Sequence, residues 1–476
     1  MSRRVLSCLA ILLALVASPA LSQDPARVVG DWTGALQVGA MKLRLVLHIT
    51  RGADGVLRAT MDSIDQNALG IPIDDITFDG TVLRAELRGI RASYEATVDP
   101  TATTLTGNWK QSGTSLPLVM ARTDDAASLL PKRPQEPKPP FPYQSRDVTY
   151  PSGDITLAGT LTIPADPGPH PAAVLISGSG PQDRDEGIMG HKPFLVLADH
   201  LTRHGIAVLR ADDRGVGEST GSFADATTED FAADAAAGIA YLETLAEIDS
   251  KRIGLVGHSE GGITAPMVAA RSNEVAFIVL MAGVGVPMDQ LLRAQSRLLL
   301  KANGADDEYI ARNERLSTRM FAIAKAEPDA ATREAKLRDA TKTFADSLSV
   351  GGAPSDEDRA SLERGVAMLA TPWMHFLLNY DPAATLRRVK APVLAINGEL
   401  DLQVPPSQNL PAIQKALADG GNRDVTIVEL PKLNHLFQTA TTGAPSEYGT
   451  IEETMAPIAL KTISDWIVAR TGRAKK

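Results

Sequence analysis

The chain has 476 residues, and its 57 acidic side chains outnumber its 48 lysines and arginines, for a formal net charge of −9. An acidic balance without a basic patch argues against nucleic-acid binding, which needs Lys and Arg to neutralise phosphates. A chain of this length exceeds one ordinary hydrophobic core, so two or more domains are expected.

The first 22 residues read as a secretory signal peptide. Met1-Ser2-Arg3-Arg4 is basic, Val5 to Val16 is almost without polarity, and small residues at Ala20 and Ser22 prepare a cut before Gln23. The apolar run is too short for a comfortable membrane span, and no later run is long and apolar enough. Export to the periplasm or the medium is therefore expected. Removing Arg3 and Arg4 leaves 46 basic residues against 57 acids, or −11. Cys8, the single cysteine, leaves with the signal, so the mature protein is expected to hold together without disulfides or thiolate metal ligands.

Residues 24–125 read as a small antiparallel β-domain, a barrel or a sandwich. Leu43 to Ile49, Val82 to Leu87 and Tyr94 to Val98 alternate apolar and polar residues, with turn signals at Asp54-Gly55 and Asp79-Gly80. Trp32 and Trp109 are expected to fill its interior, and His48 to be a satisfied or surface histidine. Residues 126–143 then form a linker, with six prolines among the twelve residues from Pro131 to Pro142. That composition favours an extended, semi-rigid spacer.

Beyond it, residues 144–476 change rhythm. Short, nearly all-apolar strands are expected at Ala172–Ile176, Ala207–Ala211, Ile253–Val256, Phe277–Met281, Val393–Ile396 and Val425–Leu430, with helical segments between or after them. Buried strands alternating with helices mean an α/β fold whose mostly parallel sheet is covered on both faces. The alternation breaks from about Val286 to Arg387, where helical, Ala-rich and charged sequence predicts a helical cap over the carboxyl edge of the sheet.

Gly257-His258-Ser259-Glu260-Gly261 sits between an apolar strand and a small-residue helix. A Gly-x-Ser-x-Gly turn in that setting strains the serine backbone and lifts its hydroxyl off the sheet, while the glycines let strand and helix approach. A serine nucleophile needs a neutral imidazole, and the imidazole needs a carboxylate to hold its tautomer. Of the two histidines after Ser259, His375 lies inside the helical insertion, so His435 in the loop after Val425–Leu430 is the expected base. The acid is expected in the loop after Val393–Ile396, where Glu399 and Asp401 compete; Asp401, ahead of the Val404-Pro405 turn, is preferred. The backbone amides of Glu260 and of Ser179, in the loop Ser177-Gly178-Ser179-Gly180-Pro181, are the expected oxyanion donors, with Gly178 and Gly180 as neighbours able to take the role.

Three other clusters are given structural roles. Gln182-Asp183-Arg184-Asp185-Glu186 carries neither histidine nor a phosphate-loop lysine, and reads as salt bridges shaping the site floor. Asp212 to Ser219 lacks the third glycine of a dinucleotide fingerprint, and Arg214 is expected to buttress the active-site loops. His191, His200 and His204 are not in a zinc pattern and read as surface histidines.

Residues 145–472 thus resemble the α/β-hydrolase superfamily, through Gly257–Gly261, Gly398-Glu399-Leu400-Asp401 and Leu433-Asn434-His435. More narrowly, Ser177 to Glu186, Asn434-His435-Leu436-Phe437-Gln438 and a small β-domain carrying Asp62-Ser63-Ile64-Asp65-Gln66 resemble exported bacterial two-domain carboxylesterases of the EstD type. Ser177 departs from the histidine that many such enzymes carry before the glycine. The resemblance implies an α/β-hydrolase fold, serine hydrolysis of small or medium acyl esters as small-molecule substrates, and no cofactor. An aminopeptidase or dipeptidyl-peptidase on the same triad is the nearest alternative, since it needs a cap carboxylate for the substrate amine and Asp306, Asp307, Glu308 and Glu314 are available. A thioesterase or an inactive binding module are further alternatives.

Overall fold

The computed structural model describes residues 24–472 apart from 39–40, 67, 112 and 349–355. The signal-peptide reading of residues 1–22 lies outside the described residues. The chain divides after Pro131 into two compact units.

In the first unit, strands β1 (Gly30–Val38), β2 (Met41–Arg51), β3 (Leu57–Ser63), β4 (Ala68–Pro72), β5 (Asp75–Phe78), β6 (Val82–Leu87), β7 (Ala92–Val98), β8 (Thr104–Gln111) and β9 (Thr114–Thr123) form one antiparallel sheet. Its order is β4-β3-β2-β1-β9-β8-β7-β6-β5. The sheet curls until β5 meets β3. On β6, Leu83, Ala85 and Leu87 are buried while Arg84 and Glu86 are exposed, the two-residue period of a strand with one dry face. Trp32, Leu47, Tyr94 and Trp109 belong to the core this face builds. His48 is a satisfied histidine, its ring nitrogens lying 2.8 Å from Asp31 and 2.9 Å from Asp62.

The second unit is built on strands β10 (Tyr143–Ser152), β11 (Ile155–Pro164), β12 (His170–Ile176), β13 (Ala207–Ala211), β14 (Ile248–His258), β15 (Ile278–Met281), β16 (Val393–Gly398) and β17 (Val425–Leu430). They lie in the order β10-β11-β13-β12-β14-β15-β16-β17. From β13 to β17 every pairing is parallel; β10 and β11 join antiparallel at one edge. Those two strands were not legible as apolar runs. β10 is a half-exposed edge strand carrying Pro151, a residue tolerated only where a ladder donor is dispensable, and β11 is rich in threonine.

Helices α1 (Pro193–Arg203) and α11 (Pro457–Thr471) cover one face; α2 (Thr228–Glu243), α3 (Gly261–Ala269) and α10 (Pro406–Asp419) cover the other. Between β15 and β16 the chain inserts α4 (Met288–Ala302), α5 (Asp307–Ala326), α6 (Ala330–Leu348), α7 (Asp356–Ala370), α8 (Pro372–Asn379) and α9 (Pro382–Leu386). The proline-rich stretch is not a free spacer past Lys132. Arg133 donates to the carbonyls of Met189, Gly190, Gly449 and Ile451, and Gln135 bridges the main chain of Thr454 and Met455. Prolines have no N–H to offer, so these two side chains supply the hydrogen bonds that dock the segment.

Candidate active site

Ser259 follows the last residue of β14 and directly precedes Glu260, the N-cap of α3. Its φ is +53°, a left-handed conformation costing a non-glycine residue about 1–3 kcal/mol. The neighbours enforce it: the Ser259 amide donates to the Met281 carbonyl at 2.9 Å, and α3 is entirely buried. Side chains at Gly257 or Gly261 would run into the Gly261 and Ile176 carbonyls respectively, which is why this turn needs glycine at both places.

His435 and Asp401 arrive from the ends of β17 and β16. His435 Nδ1 donates to Asp401 Oδ2 at 2.8 Å, with both side chains buried. A carboxylate oxygen accepts here, so the bond places a proton on Nδ1, the tautomer in which a neutral ring presents its lone pair at Nε2. The other oxygen, Asp401 Oδ1, accepts the amides of Gln403 and Val404, each at 2.8 Å. Glu399, by contrast, is exposed and accepts the Lys432 amide at 2.9 Å. Geometry thus brings Asp401, not Glu399, to His435. Among the described residues the Ser259 hydroxyl is not bonded to His435, although both line one cavity. His375 is held elsewhere, its Nδ1 donating to the Ala324 carbonyl at 2.8 Å.

The loop after β12 packs against the serine. Of its amides, Gly178 is already engaged, donating to Glu186 Oε1 at 2.7 Å. Neither the Ser179 nor the Glu260 amide meets an acceptor among the described residues. A buried network lies under this loop. His258, one residue before the serine, sets Nδ1 2.9 Å from Glu186 Oε1 and donates from Nε2 to the His435 carbonyl at 3.0 Å. Desolvation pushes the His258 imidazolium down, but the charge and hydrogen bond of Glu186 and the His435 carbonyl outweigh it, so the ring titrates above an ordinary histidine. Burial pushes the Glu260 carboxyl up, against hydrogen bonds that Thr228 and Trp373 donate to its Oε1. Burial likewise raises Asp213 to about 7, although it accepts from the Gln182 amide and the Ser177 hydroxyl. From sequence His258 was given no role of its own and Glu186 only a share in the salt-bridge cluster shaping the site floor; their position inside those motifs was the available signal.

Ser259, His435, Ser179 and Glu260 line a cavity of about 310 Å³. The insertion contributes Met288, Leu291, Leu292, Met368, Trp373, Met374 and Leu377 to its wall, with Gln295 the one non-aromatic polar side chain there among the described residues. Asp306, Asp307, Glu308 and Glu314 are exposed and do not line it.

The remaining clusters are structural. Arg184 pairs Asp212 at 2.6 Å and also reaches Glu218 and Asp147, while Asp185 pairs Arg210 and Lys192. Arg214 holds α2 through Asp234 and Asp230. The surface reading of the three histidines needs correction. Only His204 is exposed; His191 is buried between Thr454 and the Tyr448 carbonyl, and His200 meets Ser464 on α11. Partners distant in sequence create those pockets.

The strand order, the serine turn and the acid–histidine pair at consecutive strand ends define one class. The chain belongs to the alpha/beta hydrolase family, whose sequence model matches residues 173–444. It is similar to "Esterase EstD" of Thermotoga maritima, at 26% identity over 325 residues, covering 67% of this chain and 68% of that protein. Solved structures that align with it include the alpha/beta hydrolase GrgF from Penicillium sp. sh18, at 18% identity and a TM-score of 0.43, covering 69% of this chain and 100% of that one. Est1E from Butyrivibrio proteoclasticus aligns at 15% identity and a TM-score of 0.40, over 69% and 99%.

Proposed function

We propose that this protein is an exported serine hydrolase of carboxylic esters with small or medium acyl groups. Ser259 attacks the ester carbonyl, His435 Nε2 takes its proton and returns it to the leaving alcohol, and Asp401 holds the imidazole in the required tautomer. The amides of Ser179 and Glu260 receive the oxyanion, and water then attacks the acyl-enzyme by the same route. Catalytic hydrogen bonds are often long before substrate binds, so the Ser259–His435 bond is expected to tighten in the complex.

The observation that carries this reading is the 2.8 Å Asp401–His435 pair opening on the same cavity as the strained Ser259. Substrate class follows from the walls. An apolar helical insertion suits an acyl chain, and we take it to be a cap that sheds water from the ester. An amine-recognising peptidase would want an uncommitted ionised carboxylate here, yet Asp306, Asp307, Glu308 and Glu314 face solvent, burial disfavours the charged form of Glu260, and Glu186, which also lines the cavity, is engaged by the Gly178 amide and His258. The relative named an esterase supports the same choice. Export rests on the composition of residues 1–22.

The test is labelling with a fluorophosphonate together with hydrolysis of p-nitrophenyl esters from acetate to decanoate. Wild type should label at Ser259 and turn over, and Ser259→Ala should do neither. Retained turnover in Ser259→Ala, or faster cleavage of amino-acid anilides than of esters, would overturn the reading.

A further inference from the structure

We propose that Glu186 and His258 are positioning residues that lock the oxyanion loop and the base loop together around Ser259. The proposal rests on the serine-hydrolase reading above. Both side chains are buried, and neither is a member of the triad or an oxyanion donor.

Three contacts make the chain. Glu186 Oε1 accepts the Gly178 amide at 2.7 Å, the same oxygen faces His258 Nδ1 at 2.9 Å, and His258 Nε2 donates to the His435 carbonyl at 3.0 Å. Gly178 immediately precedes Ser179, the proposed donor. A Cβ on Gly178 would stand 3.3 Å from the Ser259 Cβ and 3.4 Å from Glu186 Oε1, so this glycine is wedged between nucleophile and carboxylate. His435 is consequently held at two points, its ring by Asp401 and its main chain by His258. Glu186 itself adopts a left-handed φ of +51°, an unfavourable conformation that the surrounding bonds must maintain.

The residue types are not interchangeable. A carbonyl only accepts, so His258 Nε2 must carry a proton. Glu186 Oε1 must accept from Gly178, and beside it a proton on Nδ1 gives an imidazolium–carboxylate pair. A glutamine at 186 satisfies only half of this. With its oxygen in place it leaves a buried imidazolium without a counter-charge; with its NH₂ in place it opposes the Gly178 N–H. Either choice shifts the Ser179 amide or the His435 loop, and displacement on the ångström scale costs up to about 10²-fold in rate.

The experiment measures kcat and KM on p-nitrophenyl butyrate for wild type, Ser259→Ala, Glu186→Gln, His258→Gln and His258→Asn. Each rate is divided by the sites titrated to completion with fluorophosphonate, so unfolded protein does not count; Ser259→Ala, which has no hydroxyl to label, is compared per mole of protein and sets the background. Glu186→Gln should lower kcat by about 10- to 100-fold with KM within about threefold. The His258→Gln amide nitrogen reaches the place of Nε2 and keeps a donor to the His435 carbonyl, whereas that of His258→Asn reaches only the place of Nδ1. His258→Gln should therefore retain more kcat, a rescue that a purely space-filling role would not produce. Should Glu186→Gln not fold, the His258 pair decides alone. A Glu186→Gln kcat within twofold of wild type, or equal losses in the two His258 variants, overturns the positioning role. If wild type neither labels nor turns over, the hydrolase reading and this proposal fall together; if it does both through Ser259 and the variants match it, only the positioning role falls.

Discussion

Replacing Asp401 with asparagine separates the charge of the acid from its shape. Asp401 Oδ1 accepts two main-chain amides at 2.8 Å, from Gln403 and Val404. An asparagine keeps its oxygen on those donors, which turns its NH₂ toward His435 Nδ1. That group donates where the carboxylate accepted, so Nδ1 must offer a lone pair and the ring proton moves to Nε2. In the proposed mechanism Nε2 is the atom that takes the serine proton. A triad histidine held in this wrong tautomer loses about 10⁴-fold in kcat. At 1.36 kcal/mol per decade, that is about 5.4 kcal/mol of barrier. The side chains are nearly isosteric, so circular dichroism and melting should stay close to wild type. The assay is steady-state hydrolysis of p-nitrophenyl butyrate by Asp401→Asn and Glu399→Gln in parallel. Glu399 is exposed and bonds only the Lys432 amide, so its variant should stay within about threefold. A kcat for Asp401→Asn within tenfold of wild type, or a larger loss for Glu399→Gln, would refute the reasoning.

Other outcomes follow from the same geometry. Ser259→Gly and Ser259→Ala should both abolish turnover, but the glycine variant should be more stable by about 1 kcal/mol, because φ is +53° there; that is roughly 2 °C in a melting scan, and equal melting would remove the strain argument. Gly261→Ala places a methyl against the Ile176 carbonyl, and chemical denaturation should report a loss of about 3 kcal/mol together with lost activity. Burial lowers His191 to about 4, against a raising bond to the Tyr448 carbonyl. Between its ordinary value near 6.5 and 4 the unfolded chain binds the proton and the folded chain does not, so stability present at neutral pH is lost as pH falls through that window. Melting of His191→Gln from pH 7.5 to 4 should fall less steeply than wild type, and parallel curves would exclude the effect.

Much of the molecule was legible before folding. Ser259, His435 and the two competing acids stand in sequence order because each strand of a parallel sheet delivers its loop to the same edge. The apolar strands from Ala172 to Ile396 were visible because burial on both faces demands nearly uninterrupted hydrophobic runs, and the half-buried edge strand Val425–Leu430 kept enough of that pattern to be seen. β10 and β11 escaped because an edge hairpin obeys no such demand, and the proline-rich stretch looked like a spacer because nothing in its composition reveals what Arg133 and Gln135 will meet.

Sequence alone determined the order of chemical groups, the change of rhythm from a small β-rich segment to an α/β one, and the place of the helical insertion. Only the tertiary structure paired Asp401 rather than Glu399 with His435, engaged Gly178 with Glu186, buried His191 and turned Asp306, Asp307, Glu308 and Glu314 to solvent. The reason is physical. Periodicity and turn chemistry are local and survive in a string of letters, whereas a hydrogen bond such as His258 to His435 joins residues 177 positions apart. A partner that distant, and the burial that sets its protonation, exist only once the sheet has brought the strand ends together.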